Sequence, residues 1–232
     1  MLVGTCALSA FMVAWILVMP GSLGGGAAAL RTRDSAMQKQ WAKLVTKFAE
    51  HGDIRLLHHA STALWAALAP LQLLPSLRLA YPAAHRRSGR LMAFLAAPIV
   101  VGYVLIVRRG LMYNKTFGGD VPLLLKYTLH AVGLAFTVAA CLTGFHARAR
   151  RMSQHRAWAR RYVALGLWVA AQRALIVVCL PFARLLSPGG EVSAAHGKAI
   201  FELCALAGIA LCIWAAEAAN AEDARAGSAK TA

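Results

Sequence analysis

Histidine and arginine recur together at two places where an apolar run begins. AHRRSGRLMAFLAAP, residues 84–98, contains His85 with Arg86, Arg87 and Arg90, and QHRAWARRYVALGLW, residues 154–168, contains His155 with Arg156, Arg160 and Arg161. Within the other apolar runs stand His58, His59, His130 and His196. Imidazoles set in apolar segments are the groups with which a helical bundle holds a b-type haem. Two of them, from facing helices, ligate the iron, and neighbouring arginines meet the propionates. On that chemistry His58, His59, His130 and His196 form one candidate layer and His85 with His155 a second. Arg86, Arg90, Arg156, Arg160 and Arg161 are then the candidate anion ligands. The same residues also have a plainer chemistry. At the edge of an apolar segment, histidine and arginine lay their stems along acyl chains and hold lipid phosphates with their heads. The spacing leaves both readings open.

A deeper pair of charges stands apart from these motifs. Gln172 and Arg173 interrupt YVALGLWVAAQRALIVVCLP, residues 162–181, and Glu202 lies within HGKAIFELCALAGIA, residues 196–210. A lone charge in hydrocarbon costs at least about 2.5 kcal/mol on insertion scales. The positions therefore predict an ion pair between Arg173 and Glu202. Two alternatives compete: Lys198, four residues before Glu202 on the same helix face, as the partner of Glu202, and backbone carbonyls freed near Pro181 or Pro70 as acceptors for Arg173.

These side chains must be positioned by a chain of 232 residues that is 59% apolar, with a mean hydropathy of +0.56 and a formal charge of +16. The apolar residues come in blocks of about 20, the length a helix needs to cross a bilayer core. The expected fold is an all-α integral membrane protein of about six transmembrane helices: Leu2–Pro20, Ile54–Pro75, Leu91–Val107, Val121–Phe145, Tyr162–Leu186 and Val192–Ala216. The first block lacks a basic leading region, which favours a spanning helix over a cleaved signal. Between residues 31 and 53, Trp41, Leu44, Val45 and Phe48 recur at helical spacing beside Lys39, Lys43 and Lys47. That pattern predicts one interfacial amphipathic helix. Arg78–Arg90 and Arg148–Arg161 read as basic loops, and the end of the chain, from Glu217, as a mobile polar tail unless a partner holds it. The organisation is then an N-terminal span with its basic segment (1–53), a four-span core (54–186), and a last span with its tail (187–232).

Six spans bring both termini and both basic loops to one face, here called side A; the other is side B. The positive-inside rule places side A in the cytosol or matrix. Basic residues placed between apolar blocks point to anionic lipid, not to nucleic acid. An inner mitochondrial, a thylakoid and a bacterial plasma membrane fit equally well. Cys6, Cys141, Cys179, Cys204 and Cys212 all fall in apolar blocks and form no CxxC, so they read as small buried hydrophobes. No GxSxG, HExxH or Walker pattern occurs. An enzymatic reading therefore narrows to a transmembrane haem oxidoreductase. Asn114-Lys115-Thr116 is a glycosylation sequon that matters only if side B faces a secretory lumen.

The motifs repeat. Leu57-His58 and Leu129-His130 stand 72 residues apart (130 − 58), and His85-Arg86 and His155-Arg156 stand 70 apart (155 − 85). Two spans separate the copies, as in a parallel two-span duplication about an axis along the membrane normal. LHH at 57–59, HRRSGR at 85–90 and HRAWARRY at 155–162 resemble a widespread domain-of-unknown-function family of multi-pass membrane proteins with HRxxGR and HRxWMxRxY motifs. Ala159 replaces the family's usual methionine. The resemblance spans about residues 55 to 185 and implies a helical core of paired spans, with no established activity. Two functions are expected from these observations. One is a non-enzymatic accessory subunit of a respiratory or photosynthetic membrane complex, binding anionic lipid through its basic loops and packing on other membrane subunits. The alternative is a haem b electron carrier.

Overall fold

Proline, glycine and one extended residue set the helix boundaries. In a computed structural model, which describes residues 1–18, 23, 46–112, 122–187 and 192–228, helix α1 is Leu2–Val18. Helix α2 starts at Gly52–Ile54, widens into a π-helical stretch over Arg55–Ala60 and continues as α-helix through Ser61–Leu73. Leu74 is extended, and Pro75 opens the short α3, Pro75–Ala80. Helix α4, Pro82–Arg108, again begins on proline. The ring presets a helical φ where no N–H is needed. Gly110 ends α4 in the left-handed region (φ 63°), with the Leu111 N–H donating to the Ile106 carbonyl at 2.9 Å. Helices α5 (Leu123–Arg148), α6 (Met152–Leu186) and α7 (Ala194–Ser228) follow. Between α5 and α6 the left-handed position falls on Arg150 (φ 56°).

All regular structure among the described residues is helical. Among the described residues four helices are long and apolar enough to cross a membrane: Pro82–Arg108, Leu123–Arg148, Met152–Leu186 and Ala195–Ala226. Helix α1 is apolar but shorter. Phe94, Leu134, Val178, Leu203 and Trp214 point outward, exposed. Such a surface suits acyl chains rather than water, as expected of an integral membrane protein.

Helix α6 is the central element, packed against α5, α7, α1 and α2. The main core joins Met12 and Ile16 of α1, Trp65, Ala66 and Ala69 of α2, Met92 and Leu95 of α4, Phe136 of α5, and Tyr162 and Leu167 of α6. The first helix thus shares the core of the motif-bearing helices. Helices α6 and α7 approach closely at Gly208, where a Cβ would stand 2.9 Å from the Gln172 nitrogen and 3.0 Å from the Trp168 carbonyl.

Three expectations need correction. The basic stretches are mostly helix, not loops: HRRSGR lies in the first turns of α4 and HRAWARRY in those of α6. Proline starts α4 ahead of its motif, and arginine, alanine and leucine propagate a helix well. The end of the chain is also helical, to Ser228. Cys204 and Cys212 are buried, but Cys6, Cys141 and Cys179 face outward. Most of the expected amphipathic helix (residues 31–45) and the sequon at Asn114 lie outside the described residues.

Candidate functional site

At side A, the two His-Arg motifs open adjacent helix starts. Gln72, near the end of α2, donates to Ser88 Oγ at 2.6 Å and to the His85 carbonyl at 3.2 Å. Gly89 makes room for it: a Cβ there would lie 2.9 Å from Gln72 Oε1. The small residues of HRRSGR thus face α2, and Arg86, Arg87 and Arg90 are left exposed. In the second motif, His155 Nδ1 hydrogen-bonds the Thr143 carbonyl of α5 at 2.9 Å, which makes that nitrogen the donor. His85 lies within electrostatic reach of His155, Arg78 and Arg86. His85 Nδ1 and His146 Nδ1 are buried, with no hydrogen-bond partner among the described residues.

The arginines divide into two sets. Arg160 donates to the Ala219 carbonyl (3.2 Å), Asn220 Oδ1 (3.1 Å) and Asp223 Oδ2 (2.6 Å). Arg161 forms a two-pronged bond to Glu217 at 2.6 and 2.9 Å and stacks on Trp158. These two pin the end of α7. By contrast Arg86, Arg87, Arg90, Arg148, Arg150, Arg151 and Arg156 are exposed and make no side-chain hydrogen bond or ion pair among the described residues. They form a basic rim around the side A end of the bundle.

Below the rim, Trp65 Nε1 donates to the Tyr162 hydroxyl at 2.6 Å, and Tyr162 donates onward to the Met92 carbonyl at 2.9 Å. Tyr162 closes the motif HRAWARRY, so the motif's last residue bolts α6 to α2 and α4.

Toward side B, the π stretch of α2 carries the histidine pair. A π-helical turn inserts an extra residue and re-aims its neighbours. His58 Nδ1 hydrogen-bonds the Ile99 carbonyl at 2.9 Å, and its backbone packs on Gly102, where a Cβ would stand 2.6 Å from His58 Cβ. His130 Nδ1 meets the Tyr103 hydroxyl at 2.7 Å. Both histidines are therefore held at nearly one level, by consecutive turns of α4. His58 and His59 stand side by side, with ring centroids 5.7 Å apart. His59 sets its ring edge against Phe48 at 4.8 Å, with its own Nδ1 unpartnered, and His196 is exposed at the start of α7. The repeat is also not matched in contacts: His130 turns to α4, where a copy of the His58 bond would use α6. Beyond the histidines, Arg109 grips Asp53 at 2.8 and 2.6 Å. That hydrogen-bonded guanidinium holds the Asp53 carboxyl below the usual carboxylate range.

The deep charges do not pair as expected. Glu202 lies 3.9 Å from Lys198 Nζ, and the guanidinium of Arg173 lies over Phe201 at 5.0 Å and Trp15 at 5.7 Å. Helical register explains this. Gln172 takes the position facing α7, donating to the Phe201 carbonyl at 3.2 Å. Arg173, about 100° further round the helix, lies between the Phe201 ring of α7 and the Trp15 ring of α1.

Tyr162, Trp65, Gln72 and Tyr103 escaped the sequence reading as site residues. Only Tyr162 carried a signal, as part of a motif. No group of three or more His, Cys, Asp or Glu that could hold a metal ion occurs among the described residues. The chain matches no family model, no curated protein and no solved structure.

Proposed function

We propose that this chain is a non-enzymatic multi-pass membrane subunit that binds anionic lipid through its side A rim and packs against other subunits of a respiratory or photosynthetic assembly. The observation that carries the reading is the set of exposed guanidiniums at Arg86, Arg87, Arg90, Arg148, Arg150, Arg151 and Arg156, which have no ion-pair partner among the described residues. Each such charge near an anionic leaflet attracts by about 1 kcal/mol, falling off within a Debye length. In this reading α1 and α2 complete six spans, with both termini on side A. The outer face of α1 supports a partner helix: Gly4, Cys6, Ala7, Ala10 and Ala14 are small and exposed, and such faces let helices approach closely. Native gel electrophoresis of membranes dissolved in mild neutral detergent tests the assembly. The chain should migrate far above the 24.7 kDa of one copy; migration as a single copy would sink the subunit reading.

A haem b carrier keeps one observation in its favour. His58 and His155 each fix Nδ1 on a backbone carbonyl, the arrangement that turns Nε2 outward as a ligand. Against it, His58 packs directly on Gly102 of α4, and Trp65 fills the space beside Gly166 of α6. No gap for a macrocycle opens at those crossings. A reduced-minus-oxidised absorbance spectrum of the purified protein separates the two: a flat spectrum fits the subunit reading, and a Soret and α-band pair reverses it.

A further inference from the structure

Arg173 is half-buried, but its Nε and Nη1 are fully enclosed and have no hydrogen-bond acceptor among the described residues. A guanidinium cannot relieve burial by losing its proton. The two rings that flank it, Trp15 and Phe201, stabilise the charge through their faces but offer no acceptor for an N–H. A second cation, Lys47, is near enough to feel its charge. Lys47 lies over the Phe48 ring at 4.8 Å, and its surroundings, together with the like charge of Arg173, push its ammonium down to about 7. Lys47 is also near enough to His59 for its charge to be felt there, and His59 Nδ1 is another buried atom without a partner. Among the described residues no carboxylate lies within ion-pair distance of Arg173 or Lys47; Glu202, the acidic neighbour, is 3.9 Å from Lys198. Three elements bring these groups together at their side B ends. Trp15 is three residues from the end of α1, Phe201 is seven residues into α7, and Lys47 precedes α2.

A buried concentration of positive charge and unused N–H donors is complementary to an anion with oxygen acceptors. The geometry points to a binding site for an oxyanion head group, the carboxylate of a fatty acid or the phosphodiester of an acidic phospholipid, held by Arg173 and Lys47 between α1, α2, α6 and α7. The apolar outer surface nearby, with Leu17, Val18 and Leu203 exposed, favours a head group that carries an acyl chain. This site is separate from the side A rim and does not depend on that reading.

The test uses full-length protein in neutral detergent, with Arg86, Arg90 and Arg156 replaced by glutamine so that the rim does not contribute. Thermal unfolding is followed while oleate, oleyl alcohol, dioleoyl phosphatidylglycerol or dioleoyl phosphatidylcholine is added. Saturable stabilisation by oleate or by phosphatidylglycerol is expected, and whichever of the two acts names the source of the oxyanion. Oleyl alcohol and phosphatidylcholine should have no such effect. Lys47→Gln, at a less enclosed position, should raise the half-saturating concentration by about tenfold; Arg173→Gln should abolish the response and Arg173→Lys restore part of it. Equal stabilisation by the neutral amphiphiles overturns the proposal. So does an unchanged half-saturating concentration in both Lys47→Gln and Arg173→Gln, the pattern expected if Arg173 serves packing alone.

Discussion

The indole N–H of Trp65 on α2 donates to the Tyr162 hydroxyl on α6 at 2.6 Å, with both side chains buried. Gly166, four residues beyond Tyr162, leaves the space that the tip of the indole fills. Phe136 of α5 stands 5.7 Å from the Trp65 ring and 4.9 Å from the Tyr162 ring. One aromatic cluster thus joins α2, α5 and α6, and the Tyr162 bond to Met92 adds α4.

Tyr162→Phe should cost about 1–3 kcal/mol, because it leaves the Trp65 N–H buried without an acceptor. Reversible unfolding in detergent measures this. A variant as stable as the parent would show that the hydrogen bond is made up elsewhere.

Gly166→Ala should destabilise by a similar amount, about 1–3 kcal/mol, since the new methyl meets the rigid Trp65 ring. Gly144 is the control: a Cβ there meets nothing within 4 Å, so Gly144→Ala should leave stability unchanged or raise it slightly. The same assay on both variants must separate them, or the packing account fails.

What the sequence showed, and what it hid, follows from the range of each interaction. Apolar blocks at Leu91–Val107 and Tyr162–Leu186 sufficed to find α4 and α6, because burial in lipid acts on every residue of a span. Their true starts, at Pro82 and Met152, lie outside the apolar run and follow local helix chemistry. The motif arginines were visible as a group, yet only α7, packed antiparallel, decides that Arg160 and Arg161 find Asp223 and Glu217, while Arg86 and Arg156 find no partner among the described residues. The Arg173–Glu202 pair failed for the same reason. Depth along a helix can be counted from sequence, but rotation about its axis is set by neighbours, here by the contact of Gln172 on α6 with Gly208 on α7. Gln72 carried no signal, since its partners His85 and Ser88 belong to the next helix.

The end of α7 should depend on the α6 arginines. In an Arg160→Gln/Arg161→Gln variant, amide hydrogen exchange over residues 217–228 should accelerate several-fold while α4 and α5 are unchanged. Exchange that stays slow would mean that packing alone holds this end.

The side B link between Asp53 and Arg109 should respond to acid. The Asp53 carboxyl is held below its usual range by Arg109. Its contribution is therefore full above the unfolded value of about 4 and is lost as pH falls through the lower folded value. Asp53→Asn should lower the melting temperature near pH 7 by a small amount, as both partners are largely exposed, and the difference from the parent should vanish in strong acid. A difference that persists there would assign the effect to something other than the carboxylate.

The side A rim is the core of the functional account, and lipid retention tests it most directly. Native mass spectrometry of protein loaded with phosphatidylglycerol or cardiolipin in neutral detergent counts the lipids that stay bound. The parent and Arg160→Gln/Arg161→Gln should retain similar numbers, because those two arginines are occupied by α7. Arg86→Gln/Arg90→Gln/Arg156→Gln should retain several-fold fewer, and added salt should narrow the gap for these exposed charges. Equal retention by the triple variant and the parent would contradict the account.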